Sequence, residues 1–322
     1  MSLQPSMSAV PSTGPSFLME ARAGLTRGGQ KTMPPKYFYD ALGSALFEAI
    51  TQLPEYGLCR SELRLLQTHA AQMALLAPAA TVVELGSGSA TKSALLLRAL
   101  LRQRPVAYCA IDVSPAALEM TRRGLAGLTD LRVRTIESEY LPGLRSAVHA
   151  PIAHGSTLVL LLGSSLGNLD FATSVRFLRS VRMTLQPGDH LLLGSDLIKP
   201  EPLMLAAYDD ALGVTAAFNL NLLVRMNRDL GADFVLPQFR HRARFNHETR
   251  DVEMHLESLV DQTVQFADFA VPFRAGETIH TESSHKYSLG ELDRLAENCG
   301  FRTVEHWVDT EGRFASTLCV AV

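Results

Sequence analysis

Two glycines, one aspartate and a gathering of tyrosines are the residues with which this chain could do chemistry. The run V-V-E-L-G-S-G-S, Val82 to Ser89, ends an apolar segment on Gly86 and Gly88, where missing β-carbons let backbone amides come close to a ligand. Turns of this type are also common as plain structure, so the glycines alone do not decide for a ligand. Asp112 closes the next apolar run, about twenty residues further on, where a carboxylate can take ribose hydroxyls. Together they point to a nucleoside site. Thr91 stands where a third glycine would complete a dinucleotide fingerprint, which counts against a pyrophosphate, and the acidic E-L-G-S-G strand end suits a sulfonium better than a phosphate. S-adenosylmethionine is therefore favoured over a nicotinamide dinucleotide. Lys92 either holds the carboxylate of such a ligand or is a solvated helix lysine. Tyr37, Tyr39 and Tyr56 are three of the seven tyrosines, and core packing alone would sooner use Phe or Leu, because a buried hydroxyl needs a partner.

The elements that must position these groups alternate. A helix is expected through Leu42, Leu46, Phe47 and Ile50, and an amphipathic one from Arg60 to Ala77. Strands at 80–85, 106–112, 131–136, 158–163 and 190–196 are separated by helices at 91–102, 116–128 and 172–185, which predicts a parallel sheet with its ligand crevice at the carboxyl ends of the strands. After Lys199 the pattern changes. Residues 203–230 read as one helix, and 234–284 alternate, with Val252, Met254 and Leu256 on one face and Glu253, His255 and Glu257 on the other, as antiparallel strands do. A helix at 289–298 precedes two strand-like runs, a hairpin ending typical of class I methyltransferase sheets. Residues 197–286 then read as an insertion that joins the N-terminal segment in a second domain. Residues 1–17, rich in Ser and Pro, are expected to form a loose tail.

Composition narrows the field. The chain has 322 residues, 47% of them hydrophobic, and a formal charge of −3 without basic clustering, so nucleic acid is not an expected partner. No apolar run approaches the roughly 18 residues of a membrane span, and the first charge being Glu20 argues against a leader peptide, so a soluble, cytoplasmic protein is expected. The four scattered cysteines fit reduced thiols, and the ten histidines show no metal-ligand spacing, so no metal is expected.

From about Ala21 to the C-terminus the sequence resembles the L-histidine Nα-methyltransferases of ergothioneine biosynthesis. The blocks that carry the likeness are PPKYFYDALGSALFEAITQLPEY (34–56), VVELGSG (82–88), LGSSLGNL (162–169), LQPGDHLLLGSDL (185–197), AYDDALGVTAAFN (207–219) and TESSHKY (281–287). The resemblance implies an α/β fold, a class I S-adenosylmethionine-dependent (Rossmann-like) methyltransferase core of residues 59–196 with 287–322. A second, α+β domain of residues 18–58 with 197–286 would bind substrate. It implies S-adenosylmethionine contacts at Gly86, Lys92, Asp112 and the pair Glu139-Tyr140, where the family's usual Asp-Phe is replaced by a longer carboxylate that can still accept from the adenine amine. For L-histidine it implies Tyr56, Gly163, Asn168, Tyr208, Met254, Glu282, Ser283 and Ser284. Asn168 and the Gly163 carbonyl would hold the α-amine, Tyr56 and Tyr208 would donate to the carboxylate, and Glu282 and Ser284 would engage the imidazole. Read singly, Asn168 could instead cap the helix near Phe171, Tyr208 could be helix packing, and Glu282 could be a solvated strand residue.

The implied reaction is three methyl transfers to the unprotonated α-amine, ending at the quaternary product hercynine, which has no lone pair left. Tyr39 is assigned a role as proton acceptor or positioning group, and with Tyr56 it could offer the cationic product a cation–π face. Specificity should rest on Glu282, whose buried charge an apolar amino acid would leave unpaired. The alternatives are a same-fold N-methyltransferase acting on another aromatic amino acid such as tryptophan or tyrosine, a non-catalytic S-adenosylmethionine-binding protein, and, third, a nicotinamide oxidoreductase. The expected assembly is a monomer.

Overall fold

A computed structural model describes residues 15–322. The expected tail lies outside the described residues as far as residue 14, but its end does not behave as a tail. Pro15 opens helix α1 (Pro15–Thr26), and Phe17 is fully buried, stacked on Tyr37 with ring centroids 4.0 Å apart. There follow a two-residue strand β1 (Lys31–Thr32), a 3-10 turn at Pro35–Phe38, and helices α2 (Ala41–Gln52) and α3 (Leu58–Leu76). Asp40 starts α2 by accepting from the Gly43 amide at 2.8 Å, a side-chain cap for an otherwise unpaired N–H.

The alternating region comprises β2 (Thr81–Leu85), α4 (Ser93–Leu101), β3 (Val106–Asp112), α5 (Pro115–Leu125), β4 (Leu131–Glu137), α6 (Tyr140–His149), β5 (Thr157–Leu161), a 3-10 turn at Ser165–Asn168, α7 (Phe171–Thr184) and β6 (His190–Asp196). Helix α6 escapes sequence reading because Pro142 and Gly143 interrupt its apolar pattern. Gly143 is required there, since a β-carbon would stand 2.5 Å from the Ile111 side chain. Beyond β6 the single helix expected over 203–230 is two, α8 (Glu201–Ala206) and α9 (Val214–Leu230). Gly213 breaks the run at φ +73°, and Asp210 restarts it by accepting from Val214 N at 2.9 Å and Thr215 N at 2.7 Å. Strands β7 (Phe239–Asn246), β8 (Asp251–Ser258), β9 (Gln262–Gln265), β10 (Ala270–Phe273) and β11 (Thr278–His285) come next, then α10 (Leu289–Asn298), β12 (Phe301–Asp309) and β13 (Phe314–Ala321).

The main sheet has the order β12-β13-β6-β5-β2-β3-β4, parallel throughout except β13, which is antiparallel to both neighbours. Strands buried on both faces show why. Val82, Tyr108, Leu158 and Leu192 pack on the side of α3, α4 and α5, while Val83, Cys109, Val159 and Leu191 pack on the side of α6, α7 and α10. Chain order reverses between β2 and β5, so a crevice opens at their carboxyl ends. The second sheet, β1-β11-β8-β7, buries Val252, Met254 and Leu256 and packs against α9.

Candidate functional site

At the end of β2 the chain turns through Gly86 and Gly88, both at positive φ (+79° and +51°). A β-carbon on Gly86 would lie 2.8 Å from Tyr140 Oη, so the glycine admits the phenol that begins α6. The loop is clamped from behind, since Thr121 on α5 donates to Gly88 O at 2.8 Å. Asp112, at the end of β3, accepts from Gly88 N at 3.3 Å and Ser114 N at 2.9 Å. Burial raises its carboxyl above the ordinary value, and those amide bonds pull the other way. This is a preformed cradle of amides and one carboxylate at a strand end, suited to a nucleoside with its hydroxyls on Asp112.

Glu84, whose charge made the E-L-G-S-G run suggestive of a sulfonium, does not serve a ligand. It is buried beneath the loop, accepting from Ser93 Oγ at 2.6 Å and from the Tyr108 hydroxyl, and desolvation pushes its pKa up to about 7. It anchors the start of α4 and offers nothing to a ligand. The acidic group beside the crevice is instead Glu62, which sequence reading missed. From α3 it forms an ion pair with Lys92 and accepts from Gly163 N at 2.9 Å, with no exposed surface of its own. Gly194 makes the room, since a β-carbon there would come within 1.9 Å of Glu62 Oε1. Lys92 is therefore neither a solvated lysine nor an isolated cation. Burial opposes its charge, but Glu62 outweighs burial and holds the ammonium well above its ordinary pKa. The signal for Glu62 was legible, because it falls on the apolar stripe of α3 between Leu58 and Leu66.

Across the crevice, aromatic rings line up from Tyr39 to Phe47 (centroids 5.6 Å), Phe47 to Tyr56 (6.3 Å) and Tyr56 to Tyr208 (6.1 Å). Burial, then the charge of Glu282, pushes the Tyr39 phenol well above its ordinary pKa. A phenol so disposed keeps its proton, which suits a positioning group better than a proton acceptor. Tyr56 is shifted the same way by burial, with Tyr208 next.

Asn168 ends the 3-10 turn after β5 and does not cap the following helix; Asp170 does, accepting from Thr173 N at 2.8 Å. Asn168 Nδ2 donates instead to Glu282 Oε1 at 3.0 Å, joining the main sheet to β11. Glu282 is buried rather than solvated, opposite Met254 on β8, and desolvation lifts its pKa to about 7 although Lys286 pulls it down. Tyr208 lies past the end of α8, not within a helix, and donates to Ser284 Oγ at 2.6 Å, so its proton is not free for a carboxylate in this arrangement.

Tyr39, Tyr56, Gly163, Asn168, Tyr208, Met254, Glu282, Ser284, Gly86, Lys92, Asp112 and Tyr140 are thus gathered along one crevice. One expected residue is not. Ser283 projects from the opposite face of β11, with its hydroxyl 3.0 Å from His280 Nε2, as the strand's period of two requires. Glu139 is largely exposed and pairs with Lys36 at 2.8 Å. Among the described residues no His, Cys, Asp and Glu cluster suits a metal ion, and no helix is long and apolar enough to cross a membrane.

Comparison with known proteins adds the following. A family model described as histidine-specific methyltransferase, SAM-dependent, matches residues 17–321. Histidine N-alpha-methyltransferase of Mycolicibacterium smegmatis is 39% identical over 320 residues, 97% of each chain. The protein of the same name from Mycobacterium tuberculosis is 36% identical over 292 residues, covering 89% of this chain and 90% of its own. Ergothioneine biosynthesis protein 1 of Neurospora crassa is 31% identical over 87% of this chain, which corresponds to 32% of that longer protein.

Proposed function

Since this chain belongs to the family of histidine-specific, S-adenosylmethionine-dependent methyltransferases, we propose that the crevice between its seven-stranded and four-stranded sheets is where the α-amine of L-histidine is methylated, three times, to hercynine. The fold is that of a class I methyltransferase, and the chain is an enzyme of histidine methylation. We divide it into a cosubstrate half, 59–196 with 287–322, and a substrate half, 18–58 with 197–286. We take it to act as a cytoplasmic monomer on these small molecules.

S-adenosylmethionine supplies an electrophilic methyl group on a sulfonium. In this assignment Asp112 accepts from the ribose hydroxyls, Lys92 meets the methionine carboxylate while Glu62 fixes its direction, and Glu139 and Tyr140 border the adenine. Asn168 gives its N–H to Glu282, which leaves Oδ1, with the Gly163 carbonyl, to accept from the α-amine. Only the unprotonated amine has a lone pair to donate, and the two acceptors direct its remaining hydrogens away from the line of attack. Tyr56 donates to the carboxylate. Glu282 and Ser284 take the ring, with Met254 as its apolar wall. The tyrosine faces of Tyr39 and Tyr56 accommodate growing cationic bulk at nitrogen, a contact worth about 0.5–2 kcal/mol.

The observation that carries this reading is the Asn168–Glu282 hydrogen bond, which sets a buried carboxylate opposite the strand ends that hold the cosubstrate groups. The test is mass spectrometry of L-histidine incubated with the protein and S-adenosylmethionine. A gain of three methyl groups on the α-nitrogen is expected; methylation of tryptophan or tyrosine in preference to histidine, or of none, overturns the assignment.

A further inference from the structure

Lys286 has no part in the scheme above, yet it is a fully buried lysine beside the ring subsite. Its ammonium donates to Asp196 Oδ2 at 2.9 Å, Ser284 Oγ at 2.8 Å and Tyr208 Oη at 3.0 Å. These partners use all three of its protons. An ammonium cannot accept, so both hydroxyls must receive from it. Tyr208 Oη and Ser284 Oγ lie 2.6 Å apart, close enough that one proton sits between them. Of the two hydroxyl protons, one closes that bond and a single one is left to face the crevice. The phenol is the stronger acid and is the donor to Ser284, so the proton left over is that of Ser284.

We propose that Lys286 is a positioning residue that fixes this proton order, so that the ring subsite takes the neutral imidazole with its acceptor nitrogen on Ser284 and its N–H on Glu282. The inference rests on the histidine assignment made above. An imidazolium has no acceptor nitrogen and would set an N–H against the Ser284 hydroxyl. To receive it, Ser284 would have to turn its proton onto Tyr208, and Tyr208 would then need another acceptor for its own. The imidazolium would also stand across one oxygen atom from a buried cation. Asp196 is already shared, since Lys199 donates to its Oδ1 at 2.6 Å, so it holds Lys286 in place from behind without supplying charge to the ring.

Ring-15N-labelled L-histidine bound to the full chain with S-adenosylhomocysteine, which blocks turnover, reports the outcome by NMR. One pyridine-type and one pyrrole-type nitrogen are expected; two pyrrole-type nitrogens, the mark of an imidazolium, overturn the proposal while leaving histidine binding intact. A parent protein that binds no histidine overturns the functional reading itself. Lys286→Met should raise KM for histidine about 10-fold or more with a smaller effect on kcat, and should lose the parent's pattern of ring shifts. Ser284→Ala, which leaves the Lys286–Asp196 pair standing and so guards against a folding failure, should move the pyridine-type resonance to the position of an acceptor nitrogen that receives no hydrogen bond. If the parent pattern persists in Ser284→Ala, the proposal is wrong.

Discussion

Glu282→Gln separates what the carboxylate does for the reaction from what it costs the fold. In the folded protein Glu282 titrates at about 7 instead of 4.5, because desolvation of the carboxylate exceeds the help it receives from Lys286. The folded state therefore binds more protons than the unfolded one between those two values, and stability falls as pH rises through that window. Below it the group is neutral in both states and costs nothing; above it the full penalty applies, about 3 kcal/mol. Glutamine keeps an oxygen for Asn168 and carries no charge. The variant should therefore match its parent near pH 4 and exceed it at pH 8 by up to about 3 kcal/mol, or roughly 5 °C in Tm. Its kcat/KM for histidine should fall about 10- to 100-fold, the value of a charge-assisted hydrogen bond, with S-adenosylmethionine affinity unchanged. Differential scanning fluorimetry across pH and initial rates with both substrates provide the two readings. Parallel stability profiles for variant and parent would refute the desolvation argument, and undiminished histidine turnover would refute the ring assignment.

Three further substitutions probe the rest of the crevice. Asp112→Ala should raise the S-adenosylmethionine Kd by an order of magnitude or more in calorimetry, without changing the histidine KM comparably, because only the ribose acceptor is removed. Glu62→Gln should weaken S-adenosylmethionine binding and lower Tm together, since it leaves part-buried Lys92 without its counter-charge; normal affinity in the variant would show that the pair is structural only. Gly167→Ala places a β-carbon 3.0 Å from His285 O, which must push the turn bearing Asn168 off β11, so histidine kcat/KM should drop by about 10²-fold at nearly constant Tm. A rate equal to the parent's would mean that the Asn168–Glu282 contact does not position the substrate.

The alternation of strands and helices, the glycine loop, Asp112 and the C-terminal hairpin were legible in the sequence because each is written in local terms: an apolar period, a missing side chain, a carboxylate at a strand end. What was not legible depends on partners distant along the chain. Lys92 reads as an ordinary helix lysine until Glu62, thirty positions earlier, is seen buried against it. Glu84 and Glu282 are both glutamates in strands, and only the fold tells that one is sealed under the glycine loop while the other faces the crevice. Ser283 illustrates a different limit. The motif places it among functional neighbours, but the strand's period of two sends it to the far face. Helix α6 was hidden by Pro142 and Gly143, which helix propensity disfavours and of which Gly143 is demanded by the packing of Ile111, whereas the break at Gly213 is a local one, set by its positive φ.

The main sheet and the second sheet are bound to each other beside the proposed site. Tyr287 N donates to Asp196 O at 2.9 Å and Ile198 N to Tyr287 O at 3.1 Å, so the chain leaving β11 runs alongside the end of β6. Lys286 closes on Asp196 at the same point, and Asn168 reaches Glu282 from the turn after β5. These backbone and side-chain bonds fix the distance between the proposed ring subsite on β11 and the strand ends assigned to the methyl donor. In the proposed assignment, a ring gripped at one end by Glu282 and Ser284 would deliver its α-amine to one position along the crevice. An amino acid whose side chain is longer, or lacks a proton for Glu282, would then be bound out of register with the methyl group. On that reading, selectivity is a property of the junction as much as of the residues proposed to touch the ring.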